Sequence, residues 1–192
     1  MARTKAFDEE KILDDAMKLF WHRGYQALSA QELVDGLGLS RSSLYDTFGD
    51  KHTLYIKALK RYREIIVMKT ITVLDNAKNI PKAIREVFQM QLDANFNSEQ
   101  SRGCLMVNSR TELSQHDPEV AAIVKDNWEM LEGAFYRAVQ RGQESGQVST
   151  ERNPRALARF FVSNSWGLNL YGTSDADEKV FKDIIKVVLS VL

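Results

Sequence analysis

Ser29 to Lys51 is the segment that leaves this chain least freedom: SAQELVDGLGLSRSSLYDTFGDK. Ser29 with Glu32 three residues later is a capping box, and Leu28 and Leu33 flank it as a hydrophobic staple. A helix is therefore expected over 29–36. Gly38 can take the positive φ that stops it sharply. Ser40 caps the next helix, 40–46, with Leu39 and Leu44 as a second staple, and Asp50 opens a third. Leu33, Val34, Leu37, Leu39, Leu44 and Phe48 supply a small shared core. Two short capped helices over a glycine turn, closed by one apolar cluster, form a helix-turn-helix.

The residues left over on the second helix, Arg41, Ser42, Tyr45 and Asp46, are expected to face outward. Such a face suits a phosphate-lined groove, with polar and cationic side chains reaching backbone and base edges. The chain has no net charge, with 26 basic and 26 acidic residues, so distribution matters more than the sum. Residues 40–63 carry Arg41, Lys51, Lys57, Lys60, Arg61 and Arg63 against Asp46 and Asp50, which gathers positive charge beside the turn.

From about Phe7 to Tyr62 the sequence resembles the DNA-binding domain of the TetR family of bacterial regulators. The resemblance lies in the apolar run of DEEKILDDAMKLFWHRGYQAL, with its Gly24-Tyr25 break, and in GLSRSSLYDTFGDKHTLY from Gly38 to Tyr55. The chain departs from the family pattern at Leu28-Ser29-Ala30, where Thr is frequent, and at Gly36, where Ala is common. The resemblance implies a double-stranded palindromic operator as partner. Arg41 and Ser42 would lie nearest the base edges, Tyr45 and Lys51 at phosphates, and Ser29, Gln31, Ser40 and Ser43 in the same contact set. Arg3 and Lys5 would trail into the minor groove.

Beyond Tyr62 the chain still reads as helix. Pro81, Asp117-Pro118 and Asn153-Pro154 all mark helix starts. Nine helices are expected: 8–23, 29–36, 40–46, 50–76, 81–97, 102–114, 118–145, 154–171 and 176–191. The fold class is all-α, with a helix-turn-helix unit over 1–50 and a larger helical unit over 51–192. The helix from Asp50 leads from one to the other as a rigid lever. The last two helices are unusually apolar, and the resemblance implies that they pair with the same helices of a second subunit in a homodimer. Ile184 and Val188 are expected at that interface.

Catalysis has no constellation behind it. His22, His52 and His116 are scattered, and HExxH, GxSxG and phosphate-cradling glycine loops are missing. Neither a metal site nor a cofactor is expected, and the chain is not expected to be an enzyme. One cysteine makes no internal disulfide, MARTKAFDEEK has no apolar segment so no signal peptide is expected, and no apolar run reaches the ~20 residues of a membrane helix. A cytoplasmic protein with no membrane partner is expected.

The segment Arg102 to Ala121 resembles part of the ligand-binding half of some family members. That implies a small-molecule effector and places Cys104, Met106, Asn108 and Trp128 near its cavity, with Phe96, Phe135, Trp166 and Tyr171 as further candidates. Asn108 and Asn164 stand out because an amide on an apolar face must find a partner. The effector is expected to be apolar or aromatic and to release a repressor from its operator. An alternative is a thiol-reactive sensor, with Arg102 and Arg110 lowering the pKa of Cys104. A helical adaptor that never meets DNA is a third reading, but it leaves Arg41-Ser42-Ser43-Tyr45 unexplained.

Overall fold

The computed structural model describes residues 7–97, 103–173 and 176–192. Arg3, Lys5 and Arg102 lie outside them, so the roles expected of these three have no structural account. The order is α1 (Glu9–Arg23), α2 (Ala30–Leu37), α3 (Arg41–Phe48), α4 (Lys51–Tyr62), a π-helical turn (Arg63–Val67), α5 (Met68–Asp75), α6 (Ile80–Phe96), α7 (Leu105–Glu112), α8 (Pro118–Glu144), α9 (Pro154–Tyr171) and α10 (Glu178–Leu189). There is no strand among the described residues. None of the described helices is long and apolar enough to cross a membrane.

Local chemistry starts most of these helices. The side chains of Asp8, Ser29, Ser40, Asp50, Asn79, Asp117, Asn153 and Asp177 each accept from a backbone amide of the turn they open. The prolines sit in the first turns of α6, α8 and α9, where no hydrogen bond is lost.

The lever from Asp50 is continuous, as expected, but not uniform. Five residues, Arg63–Val67, widen into a π turn. Before it, Leu59 and Tyr62 are buried, with Tyr62 edge-on to Trp21 of α1 at 5.1 Å. From its last residue onward, Val67, Ile71 and Leu74 are buried on the side where α5 meets α8. The extra residue in the turn re-aims the buried face from one partner helix to the other.

In the helix-turn-helix unit α1 packs along α4, and Ala16, Phe20, Leu33, Leu44, Leu54 and Leu59 are fully buried. In the larger unit α8 packs along α9, and α10 lies on α6 and α9. Its position divides the apolar arc of α10. Phe181 and Val188 are buried in the chain's own core and Ile184 is half-buried. Val188 at 2% exposure therefore cannot serve an outer interface. Val180 and Val187 face outward instead, as do Phe160 and Leu170 of α9.

Candidate nucleic-acid interface and adjoining cavity

The turn between α2 and α3 is built by its own side chains. Ser29 Oγ accepts from the Glu32 amide at 3.2 Å, and Glu32 Oε2 accepts from the Ser29 amide at 2.8 Å. Hydrogen bonds to the carboxylate from the Ser29 hydroxyl and amide, with Arg23 at 2.6 Å, hold the Glu32 carboxyl down at about 2. Gly38 takes φ 63°, the left-handed geometry that turns the chain without a Cβ penalty. Ser40 Oγ caps α3 through the Ser43 amide at 3.1 Å and also donates to Ser43 Oγ at 2.7 Å. With Ser42 Oγ at 3.2 Å from Ser40, three hydroxyls cluster at the positive end of α3.

Ser29, Gln31, Ser40, Arg41 and Ser42 are exposed, and Ser43 is half-buried. Gln31 Nε2 donates to Asp35 one turn on, at 2.8 Å. Tyr45 is not the free outward ring that the sequence suggests. It is half-buried against the core, with the Arg41 guanidinium 5.9 Å from its centre. Lys51 also turns inward. Its Nζ stands 4.3 Å over the Tyr25 ring, and burial pushes its pKa down.

The positive cluster around α4 is smaller than a residue count implies. Arg61 donates to Asp14 of α1 at 2.7 Å and lies near Glu10 and Glu64, so acidic residues of α1 and the π turn offset its charge. Lys57 donates to the carbonyl of Phe48 at 3.2 Å. Arg41 and Lys60 are exposed.

Beneath this surface α7 joins the two units. It touches α1, α4, α8 and α9. At its C-terminal end Glu112 accepts from the amides of Gln26 at 2.7 Å and Tyr25 at 3.1 Å, gripping the loop that leads into α2. In its middle, Ser109 donates to the carbonyl of Leu105 at 2.6 Å, so the buried Tyr55 hydroxyl, 2.8 Å away, donates to Ser109. Alongside, His52 Nε2 meets Asp117 Oδ2 at 2.7 Å, joining the starts of α4 and α8. Asp117 thus both caps α8 and ties it to the helix-turn-helix unit.

At the N-terminal end of α7 lies a cavity of about 360 Å³. Trp21 of α1, Tyr62 of α4, Cys104, Leu131 of α8 and Trp166 of α9 contribute to its wall, with the amides of Gln91 and Asn127. Gly103 closes one edge. Its carbonyl accepts from Trp21 Nε1 at 3.1 Å. Its φ is 68°, and a Cβ there would fall 2.4 Å from the Asn169 carbonyl, so only glycine fits.

Of the eight residues expected near a ligand, Cys104 and Trp166 line this cavity. Trp128, edge-on to Trp166 at 4.8 Å, lines a second depression of about 390 Å³ with Arg110 and Lys125, and Trp166 borders that one too. Met106 and Phe135 are buried, and Phe135 stacks on Phe161. Phe96 packs on Phe181, Tyr171 Oη accepts from the Asp177 amide, and Asn108 is half-buried on α7; none of these five is among the cavity's lining residues. Asn164 donates to Phe160 within its own helix at 2.8 Å.

Burial pushes the Cys104 thiol up, against a hydrogen bond donated by Tyr62 and bonds from the Val107 and Met106 amides. The expected lowering by nearby arginines is therefore reversed, since Arg110 faces the other depression. Among the described residues no group of three or more His, Cys, Asp or Glu could hold a metal.

A family model described as bacterial regulatory proteins of the tetR family matches residues 12–58. A second, described as the tetracyclin repressor-like C-terminal domain, matches residues 81–188. The chain is 34% identical over 193 residues to the HTH-type transcriptional regulator YezE of Bacillus subtilis, covering 100% of both. It is 30% identical over 169 residues to the HTH-type transcriptional repressor ComR of Escherichia coli, covering 88% of this chain and 80% of that one. Among solved structures it is similar to a cysteine mutant of the TetR family transcriptional regulator CifR in complex with 26-bp double-strand operator DNA. There the TM-score is 0.84 and the identity 25%, over 98% of each chain.

Proposed function

The chain belongs to the tetR family of bacterial regulatory proteins and is a DNA-binding transcriptional regulator; on that premise we propose that it is a repressor, working as a homodimer released from a palindromic operator by a small molecule. Residues 1–50 form the reader in this reading, and 51–192 the sensing and dimerising unit. Arg41 and Ser42 meet base edges from the exposed start of α3. Ser29, Gln31, Ser40, Ser43, Tyr45 and Lys51 position the reader on the backbone. Lys51 leaves its seat over Tyr25 to reach a phosphate. The outward apolar residues Phe160, Leu170, Val180 and Val187 support a two-fold pairing of α9 and α10.

The observation that carries the effector reading is Trp21. It belongs to α1, the helix on which the reader is built, yet it lines the cavity of the sensing unit and is hydrogen-bonded to that cavity's edge at Gly103. A molecule that fills the cavity presses directly on the reader's own scaffold. At the other end of α7, Glu112 passes any shift to the loop before α2. The molecule must favour the non-binding arrangement by its differential affinity, since a ligand indifferent to the two states moves nothing.

Selection of duplexes from a random pool with purified protein tests the reading. The expected product is a palindrome with half-site centres ~34–36 Å apart. Failure to enrich any symmetric site would refute it. A covalent sensor at Cys104 is the second reading, favoured by the thiol's place in the cavity wall. Its raised pKa opposes that chemistry, because the thiolate is the reactive form. Operator release by electrophiles that is abolished in Cys104→Ser would restore it.

A further inference from the structure

The cavity wall contains polar atoms that the protein leaves unanswered. Asn127, on α8, is fully buried, and neither its Nδ2 nor its Oδ1 has a hydrogen-bond partner. Gln91 of α6 donates through Nε2 to Ser165 of α9, but its Oε1 is also buried without a partner. Asn127, Gln91 and Ser165 all line the same cavity, so three helices bring neutral polar groups to one place. A buried unpaired amide atom costs on the order of 1–3 kcal/mol, and native proteins tolerate few of them.

We infer that the cavity takes a neutral molecule with a carboxamide-type end, in which an acceptor and an N–H donor lie side by side, on an apolar or aromatic body. Asn127 presents one donor and one acceptor on adjacent atoms. An amide group answers both at once through two antiparallel hydrogen bonds, and this holds whichever way the Asn127 side chain is turned. Gln91 Oε1 accepts a further N–H. Trp21, Tyr62, Leu131 and Trp166 enclose the body. The charged lining residues, Lys69 and Asp93, are exposed and stand at the rim. No buried cation waits for a carboxylate, and a carboxylate would meet Asn127 and Gln91 oxygens with no N–H to offer. A purely apolar ligand would fill the site and still leave all three buried atoms without a partner.

The inference rests on the cavity being the effector's seat, and the test keeps the two claims apart. Four probes of one shape are used with the full chain: benzamide, benzoate, acetophenone and ethylbenzene. Binding is read by titration calorimetry and by the fluorescence of Trp21 and Trp166, and operator release is read separately. Benzamide is expected to bind at least ~10-fold more tightly than the other three. Asn127→Leu should reverse the order in favour of ethylbenzene. It should also raise the thermal midpoint of the free protein, because an unpaired buried amide is removed. Asn127→Ala, which leaves the space but no pair, should lose the benzamide preference without gaining ethylbenzene to the same extent.

Equal or stronger binding of ethylbenzene or benzoate to the wild type would overturn the inference. So would unchanged benzamide affinity in both variants. Failure of all four probes, with a lower midpoint in Asn127→Leu, would assign the amide to ordered water and overturn it too. Benzamide binding without operator release would leave the site chemistry standing and refute the effector reading. Operator release by ethylbenzene alone would do the reverse.

Discussion

Glu112→Ala should disconnect the sensing unit from the loop that enters α2. The wild-type carboxylate accepts from the Gln26 amide at 2.7 Å and the Tyr25 amide at 3.1 Å. Hydrogen bonds to a charged group contribute ~1.5–3 kcal/mol each when shielded. Gln26 is exposed and its amide can turn to water, whereas Tyr25 is half-buried. The pair is therefore worth about 2–3 kcal/mol, below the sum of two shielded bonds. At ~2–4 °C per kcal/mol for a chain of this size, the midpoint should fall by about 5–10 °C. If the loss is local, opening of the Tyr25 and Gln26 amides should rise ~30–140-fold, readable by hydrogen exchange. Glu112→Gln, which keeps one acceptor but sets an NH2 against the second amide, should fall between. If wild-type amides 25 and 26 exchange as fast as in Glu112→Ala, with midpoints within about 1 °C, the grip is not a real constraint. Effector-driven operator release should also be blunted in Glu112→Ala; full retention would leave Trp21 as the only route.

Arg41→Ala should weaken operator binding by ~1–3 kcal/mol and relax preference at one base pair per half-site, whereas Lys51→Ala should weaken all duplexes alike and flatten the salt dependence. Binding isotherms at several salt concentrations distinguish them, and unchanged affinity in both refutes the assigned contacts. Val187→Asp, at a position 67% exposed, should give a folded monomer by sedimentation; Val188→Asp, at 2%, should unfold the chain instead. A dimeric Val187→Asp protein would remove the α10 interface. Glu32 has a pKa lowered from 4.5 to about 2 in the folded chain, so its stabilisation is complete above pH 4.5 and fades as pH falls toward 2. The midpoint difference between wild type and Glu32→Ala should shrink over that window, and a constant difference would show that the capping box is not its source.

The caps and the glycine turn were legible because their partners lie two or three residues apart. Ser29 with Glu32, Ser40 with Ser43 and Asp117 with Val120 each obey a rule contained in one helical turn. The same short range explains the misplacements. Tyr45 lies on the outward arc by periodicity, yet a ring of its size leans back onto the core. Val188 and Val187 are neighbours in one apolar run, and only the seating of α10 on α6 and α9 decides which is buried. The resemblance of Arg102 to Ala121 places a cavity near Cys104, and an amide on an apolar face is the sequence's sign of an unmet partner. That reasoning singled out Asn108 and Asn164, while the unpaired amide belongs to Asn127. The π turn at Arg63–Val67 left no mark in the helical pattern that surrounds it.

By itself, then, the sequence determined the all-α class, the starts of the helices, the helix-turn-helix and the family, since these follow from spacings of two to four residues and from one contiguous motif. Tertiary structure alone decided that Trp21 reaches Gly103, 82 residues away, and that Glu112 grips Gln26 across 86. It also decided that Gln91, Asn127 and Ser165 meet in one cavity. Helical periodicity says that a side chain points inward. Whether the space it points into is filled, bonded or left open depends on how distant helices pack, and that packing is set by the whole core at once.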